Sequence, residues 1–307
     1  MATSEDWQAR QLAVVNAVIN VLLTIVKAVV GILSSSEALI ADAVHSGADV
    51  VGSIAVIIGL RIAKKPADAD HPYGHGKAEL IAASLVGGFL FAAALDVGYS
   101  SIRSLFAPQT APGVSAAYTA LGAIVIKEIL FHLNFRIGRK IHRQSLVASA
   151  YDSRSDVYSS LAALLGILLS IAGKRFDVPF LLYMDGVAGA VVALLVLKIA
   201  LRVTKEALQP LMDRVILEPT NLAPYREVIV HVPGVEHIDE LRVRDHGSYV
   251  IVDVEISVHA QMTVLQGHEV AATVRRAMRT AFPRVQDVFV HVNPYIEGED
   301  LFGRPHD

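Results

Sequence analysis

The sequence predicts an all-α transmembrane bundle of six helices followed by a small α+β domain. Three observations predict it: six long apolar stretches, a change to soluble composition near residue 205, and alternating strand-like segments beyond it. A hydrocarbon layer of roughly 30 Å needs about 20 apolar helical residues to cross it. Stretches that meet or approach this length lie at about 11–33, 38–62, 79–106, 115–137, 146–172 and 179–203. Ser34-Ser35-Ser36 closes the first, Lys64-Lys65-Pro66 the second and Ala107-Pro108-Gln109 the third. The fourth gives way to Arg136, Arg139, Lys140 and Arg143, and the fifth to Gly173-Lys174-Arg175.

Composition agrees with a membrane chain. Of 307 residues, 53% are hydrophobic and 19% charged, where a soluble domain carries about a quarter charged residues. A net charge of −3, with no basic cluster beside aromatics, argues against a nucleic-acid partner. Cysteine is absent, which removes disulfides and thiolate metal sites and leaves twelve histidines as the first suspects for metal chemistry. Met1 to Arg10 lacks the basic start and cleavage site of a signal peptide, so the first apolar stretch is expected to be retained.

Basic residues set the expected orientation. Arg61, Lys64, Lys65 and Lys77 flank the second loop, the four basic residues named above fill the fourth, and Arg202 and Lys205 end the sixth stretch. The opposite side has Arg103, Lys174 and Arg175. Both termini are therefore expected on the cytoplasmic side. Residues 1–205 form the bilayer domain in this reading, and 206–307 the soluble one.

Within the soluble part, 220–231 reads as a helix and Pro233-Gly234 as a turn. Segments 238–245 and 249–258 alternate around His246-Gly247-Ser248, 264–282 has helical periodicity, and 286–293 alternates again. The order α-β-β-α-β predicts helices on one face of a three-stranded sheet.

The second stretch carries His45 and Asp49, spaced i,i+4 on one helical face, and the fifth carries Asp152 and Asp156 at the same spacing. An aspartate at mid-bilayer costs about 2.5–3.5 kcal/mol on insertion scales. Lys27 and Arg154 are the evident basic residues at matching depth. A divalent cation held by the two pairs would complete a four-ligand site of one nitrogen and three oxygens. That donor set suits Zn²⁺ and also Mn²⁺, Fe²⁺ or Co²⁺. The bland alternative is a polar seam of residues sharing protons. Asp42, one turn before His45, reads as a cap or access residue; Asp96 and Asp185 lack a partner at ligand spacing.

The second loop holds Asp68-x-x-His71-x-x-x-His75, which could bind metal at the membrane surface or be a solvated turn around Pro72. By spacing alone the two readings stand level.

These residues resemble the cation diffusion facilitator family of divalent metal transporters. The resemblance is carried by Ser36-Glu-Ala-Leu-Ile-Ala-Asp-Ala-Val-His-Ser-Gly-Ala-Asp49, Asp70-His-Pro-Tyr-Gly-His-Gly-Lys-Ala-Glu79, Tyr151-Asp-Ser-Arg-Ser-Asp156 and Leu211-Met-Asp-Arg214. It implies a proton-coupled exporter: a homodimer in a lipid bilayer, taken here as the plasma (inner) membrane of a prokaryote, whose cytoplasmic domains are metallochaperone-like and sense metal. It implies a transport site of His45, Asp49, Asp152 and Asp156, and a loop site of Asp68, His71 and His75. His268 and His291 stand where relatives bind zinc, while Asp239, Glu255 and Asn293 stand where relatives often have His, His and Asp. This makes Asp239, Glu255, His268 and His291 candidate ligands in the cytoplasmic domain. His231, His237, His246 and His259 read as surface residues. Lys77 and Asp213 resemble a charge interlock that anchors the dimer.

The family pattern leaves Zn²⁺ or Mn²⁺ as cargo and possible regulator, with Fe²⁺, Co²⁺ or Cd²⁺ as further candidates and no organic cofactor. His-Asp on the second stretch with Asp-Asp on the fifth is closer to manganese-type members at the fifth. No nucleotide-binding G-x-x-x-x-G-K-[ST] run occurs, so an ion gradient is the expected energy source. Rival readings on the same frame are a metal sensor or scaffold, and an intramembrane metalloenzyme. The enzyme would need a base beside its metal, and no H-E-x-x-H run is present.

Overall fold

A computed structural model describes residues 4–108, 110–141, 144–215 and 219–295. Gln109, Arg143 and both chain ends lie outside these residues, and with them the expectations placed on them. The order is α1 (Ser4–Leu33), α2 (Glu37–Ala63), α3 (Ala78–Ser104), α4 (Val114–Lys140), α5 (Gln144–Phe176), a 3-10 turn (Pro179–Tyr183), α6 (Met184–Leu211), α7 (Pro219–Val230), β1 (His237–Asp245), β2 (Val250–His259), α8 (Val264–Ala281) and β3 (Val285–Tyr295). Among the described residues, six helices are long and apolar enough to cross a membrane. Their outward faces expose large apolar side chains such as Leu22, Ile25, Leu85, Phe89, Leu165 and Leu194, as a lipid-facing surface does.

Several helices outrun the apolar stretches that announce them. α1 begins at Ser4 and α6 continues to Leu211, because backbone hydrogen bonding persists through polar turns that leave the hydrocarbon. The sixth stretch also starts differently: Pro179 opens a 3-10 turn, and the α-helix begins at Met184. Ser36 caps α2, its hydroxyl accepting from the Leu39 N–H at 3.2 Å. Asp185 of α6 reinforces that cap by accepting from the Ser36 hydroxyl and the Glu37 N–H, both at 2.7 Å. Its place in the membrane sequence is thus explained by a helix terminus rather than by an ion.

Two compact units emerge: residues 1–55 with 85–204, and residues 56–84 with 205–307. In the first, small residues let helices approach closely; a Cβ on Gly166 of α5 would collide with Ala188 of α6. Clusters such as Leu39, Ala120, Ala163 and Ile167, or Ala41, Val97, Val192 and Val196, fill the helix interfaces.

In the second unit, β1 and β2 pair antiparallel and β2 and β3 parallel, in the order β1-β2-β3. Val252, Val254, Ile256 and Val258 of β2 are buried with Ile229 of α7 and Val274 and Met278 of α8. Burying each such side chain contributes about 1.5–3 kcal/mol. A capping box starts α8: Thr263 Oγ1 accepts from the Gln266 N–H and Gln266 Oε1 from the Thr263 N–H.

Candidate metal centres

His45 lies on the inner face of α2, 8% exposed, and Asp156 on the inner face of α5, 5% exposed. His45 Nε2 is 3.5 Å from Asp156 Oδ1. Asp49, one turn after His45, meets Asp156 carboxyl to carboxyl. The other imidazole nitrogen of His45, Nδ1, is buried without a hydrogen-bond partner. Asp152, one turn before Asp156, is exposed, as is Asp49. The two buried groups and two exposed ones thus run from the interior of the bundle to its surface. Two carboxyl groups this close repel unless a cation or proton relieves them.

The cation present is Lys127 of α4. Its ammonium, on a residue that is 1% exposed overall, pairs with Asp156 Oδ2 and donates to Asn20 Oδ1 at 2.8 Å. Sequence patterning overlooks Lys127 and points to Lys27 and Arg154 instead. Lys27 serves another carboxylate, its Nζ standing 2.8 Å from Asp42 Oδ2 and donating to Ser46 and Ser160 hydroxyls. Arg154 stacks 4.4 Å over the Phe131 ring and lies 4.0 Å from Glu128. The lysine was legible as a charge inside the fourth apolar stretch. Its helical phase toward α5 was not.

Asp42 differs from the cap or access residue that its position suggested. It is fully buried and accepts from Ser159 and Ser160 at 3.0 and 2.7 Å in addition to Lys27. Asp96 is exposed on α3.

The loop cluster is compact. Asp68, His71 and His75 offer ligand atoms all within 4.8 Å of one another, and no other trio does so among the described residues. Asp68 Oδ1 accepts the His71 N–H at 2.7 Å and lies 3.2 Å from His71 Nδ1, while Oδ2 lies 3.4 Å from His75 Nε2. The backbone bond from His71, with help from both imidazoles, holds the Asp68 carboxyl below its ordinary range. His75 Nδ1 faces the Pro66 carbonyl at 3.2 Å. As a donor there it leaves Nε2 with a lone pair for an ion, the usual device for orienting a ligating histidine.

The loop is pinned from below. Tyr249 donates its hydroxyl to the Tyr73 carbonyl and accepts from the Gly76 N–H. A side chain at Gly76 would overlap the His246 carbonyl and the Tyr249 ring. Lys77 Nζ then lies 2.7 Å from Asp213 Oδ1. That hydrogen bond, ahead of the opposing effect of burial, holds the Asp213 carboxyl below its ordinary range. His246 is not the surface residue that a histidine in a soluble domain is commonly expected to be. It is 6% exposed, stacked on Tyr249 with ring centroids 5.5 Å apart. Burial and the Lys77 charge push its pKa down against the pull of Asp213.

No three of the four candidates in the C-terminal domain bring ligand atoms within 4.8 Å of one another in one chain. Glu255 and His291 are register partners on β2 and β3, whereas His268 is exposed on α8. Asp239 accepts from the Ser257 hydroxyl, from Asn293 Nδ2 at 3.0 Å and faces His237 Nδ1 at 3.0 Å. Burial of Asp239 opposes ionisation, yet these partners hold its carboxyl below the ordinary range. His231, His237 and His259 are exposed.

Comparison with known proteins gives two family matches. Residues 13–212 match the cation efflux transmembrane domain, and 217–295 the cytoplasmic domain of cation efflux proteins. The manganese efflux system protein MneP of Bacillus subtilis is 37% identical over 297 residues, spanning 97% of this chain and the whole of that protein. MneS of the same organism is 34% identical over 283 residues, covering 92% of this chain and 94% of its own. The magnetosome protein MamB of Magnetospira sp. is 36% identical over 282 residues, covering 90% and 92% respectively.

Proposed function

This chain belongs to the cation efflux family of integral membrane transporters, and from that premise we propose that it exports divalent metal ions through the site of His45, Asp49, Asp152 and Asp156. The carrying observation is the approach of His45 Nε2 to Asp156 Oδ1 across α2 and α5, 3.5 Å apart inside an apolar bundle. Intramembrane ionisable groups are costly, and such groups mark ion pathways.

Each side chain has a task in this reading. His45 supplies a neutral nitrogen through Nε2, Asp156 the inner oxygens, and Asp49 an oxygen nearer the surface. Asp152, exposed one turn away, receives the ion from the cytoplasmic side. Ligands must be deprotonated to bind metal, so loading releases protons, and protons arriving from the opposite side expel the ion. The two helices alternate access around the ion, and the proton gradient supplies the energy. Mn²⁺ is the first cargo to test, since two similar proteins are named for manganese efflux. Zn²⁺ is expected to bind at least as tightly, because affinity of such donors rises along the divalent series.

The Asp68-His71-His75 cluster is a second, regulatory metal site at the cytoplasmic surface. The protein works as a homodimer in the plasma membrane of a bacterium, both termini in the cytoplasm, with Lys77 and Asp213 bracing each protomer. The bilayer domain is taken as 1–205, and the domain at 206–307 serves dimerisation and metal sensing. Asp239, Glu255, His268 and His291 would ligate there only with help from the second protomer.

The test is Mn²⁺ and Zn²⁺ flux into proteoliposomes with and without an imposed pH gradient. Gradient-driven uptake of both ions is expected. Flux of neither ion would overturn the reading, and flux indifferent to the pH gradient would remove its proton coupling.

A further inference from the structure

Lys27 and Lys127 are both buried lysines paired with aspartates, yet their surroundings differ. Lys27 belongs to a closed network: Asp42 is also bonded to Ser159 and Ser160, and Lys27 to Ser46 and Ser160. Lys127 shares its carboxylate with His45 and Asp49 and has a second anchor on α1, Asn20. One pair is a brace. The other stands where the cargo is expected.

We propose that Lys127 is a tethered cation that competes with the transported ion for Asp156 and, once displaced, is held by Asn20. The inference rests on the transport-site reading above and adds a residue that sets its affinity. The ammonium and an incoming divalent ion seek the same oxygens, and two cations on one carboxylate repel strongly in a weakly screened interior. Loading therefore requires the ammonium to move, and Asn20 Oδ1, already bonded to it, offers an uncharged acceptor. Counted as formal charges, three carboxylates, the Lys127 ammonium and a divalent ion sum to zero, whereas without the lysine the loaded site carries one negative charge. In the empty site the ammonium keeps Asp156 from facing the apolar bundle unpaired, a state that is strongly unfavourable. The competition of the ammonium for Asp156 lowers affinity enough for the ion to leave.

A merely structural ion pair between α4 and α5 makes a different prediction. Its loss would weaken folding or slow turnover but would not tighten ion binding. The experiment is the initial rate of Mn²⁺ uptake into proteoliposomes against Mn²⁺ concentration. Lys127→Gln is expected to lower KM by about tenfold and to lower the maximal rate, as removal of a neighbouring like charge requires. Lys127→Arg, which keeps the charge, should shift KM far less. An unchanged or raised KM in Lys127→Gln, with wild type active, overturns the proposal. Should Lys127→Gln not fold, Asn20→Leu decides: loss of the second anchor should raise KM, and an unchanged KM overturns the proposal. Should wild type show no flux, the functional reading fails separately. Mn²⁺ titration of the detergent-solubilised Asp68→Ala protein, with and without Lys127→Gln, then tests the competition alone. Tighter binding supports it, and equal or weaker binding overturns it.

Discussion

The Tyr249 hydroxyl donates a 2.5 Å hydrogen bond to the Tyr73 carbonyl. Tyr73 lies between His71 and His75, so the shape of the loop that carries them is set from the β1–β2 hairpin. A single hydrogen bond contributes about 0.5–1.5 kcal/mol. Tyr249→Phe should therefore weaken Mn²⁺ binding at the loop by up to about tenfold. Gly76→Ala, which forces the loop off Tyr249 and His246, should weaken it more. Calorimetric titration on an Asp156→Ala background reads the loop site. Equal affinity in Tyr249→Phe would show that the loop holds its shape alone.

The Lys77–Asp213 pair is reachable by charge reversal. Lys77→Asp and Asp213→Lys should each lower transport, and the double reversal should recover more than either single change. The pair is partly exposed, so its strength is modest. Because the Asp213 carboxyl is held below its ordinary range, its contribution is complete above that range and lost as pH falls through the depressed value. A double variant no better than the worse single one contradicts the coupling.

His246 gives a pH dependence of the same sign in a milder range. Its pKa in the folded protein is lowered by burial first and by Lys77 second. The unfolded chain then binds the extra proton, at about pH 6.5 for an ordinary histidine, and stability falls as pH drops below that value. His246→Phe should flatten the melting temperature between about pH 7 and 5 relative to wild type. Parallel slopes in the two proteins would assign the pH dependence elsewhere.

Removing one partner of the buried Lys27–Asp42 pair leaves a lone charge in the bundle. Lys27→Met and Asp42→Leu should each cost about 3–5 kcal/mol, and the double change much less than their sum. Thermal unfolding in detergent measures both. Additive losses would mean that the two side chains do not depend on each other.

The fold was largely legible because its signals are local. Apolar length marks α1 to α6, and period-two alternation marks β1 to β3. The ligand candidates were legible for the same reason: His45 and Asp49, or Asp68 and His71, are spaced along one segment. What escaped depends on distant segments. Lys127 meets Asp156 only through the phase of α4 against α5, and Asp42 finds Lys27 only once α1 packs on α2. His246 reads as a surface residue until the loop at 71–77 packs against its carbonyl and against Tyr249. Tertiary contact, with no sequence spacing to announce it, decides such positions.

In the proposed cycle the ion crosses at the α2–α5 carboxylates. The most direct measurement is Mn²⁺ uptake by proteoliposomes containing wild type, Asp49→Ala or Asp156→Ala at matched incorporation, with oligomeric state checked for each. Wild type should transport, and either variant should fall to the rate of protein-free vesicles while remaining folded. Wild-type flux in Asp156→Ala would contradict the account.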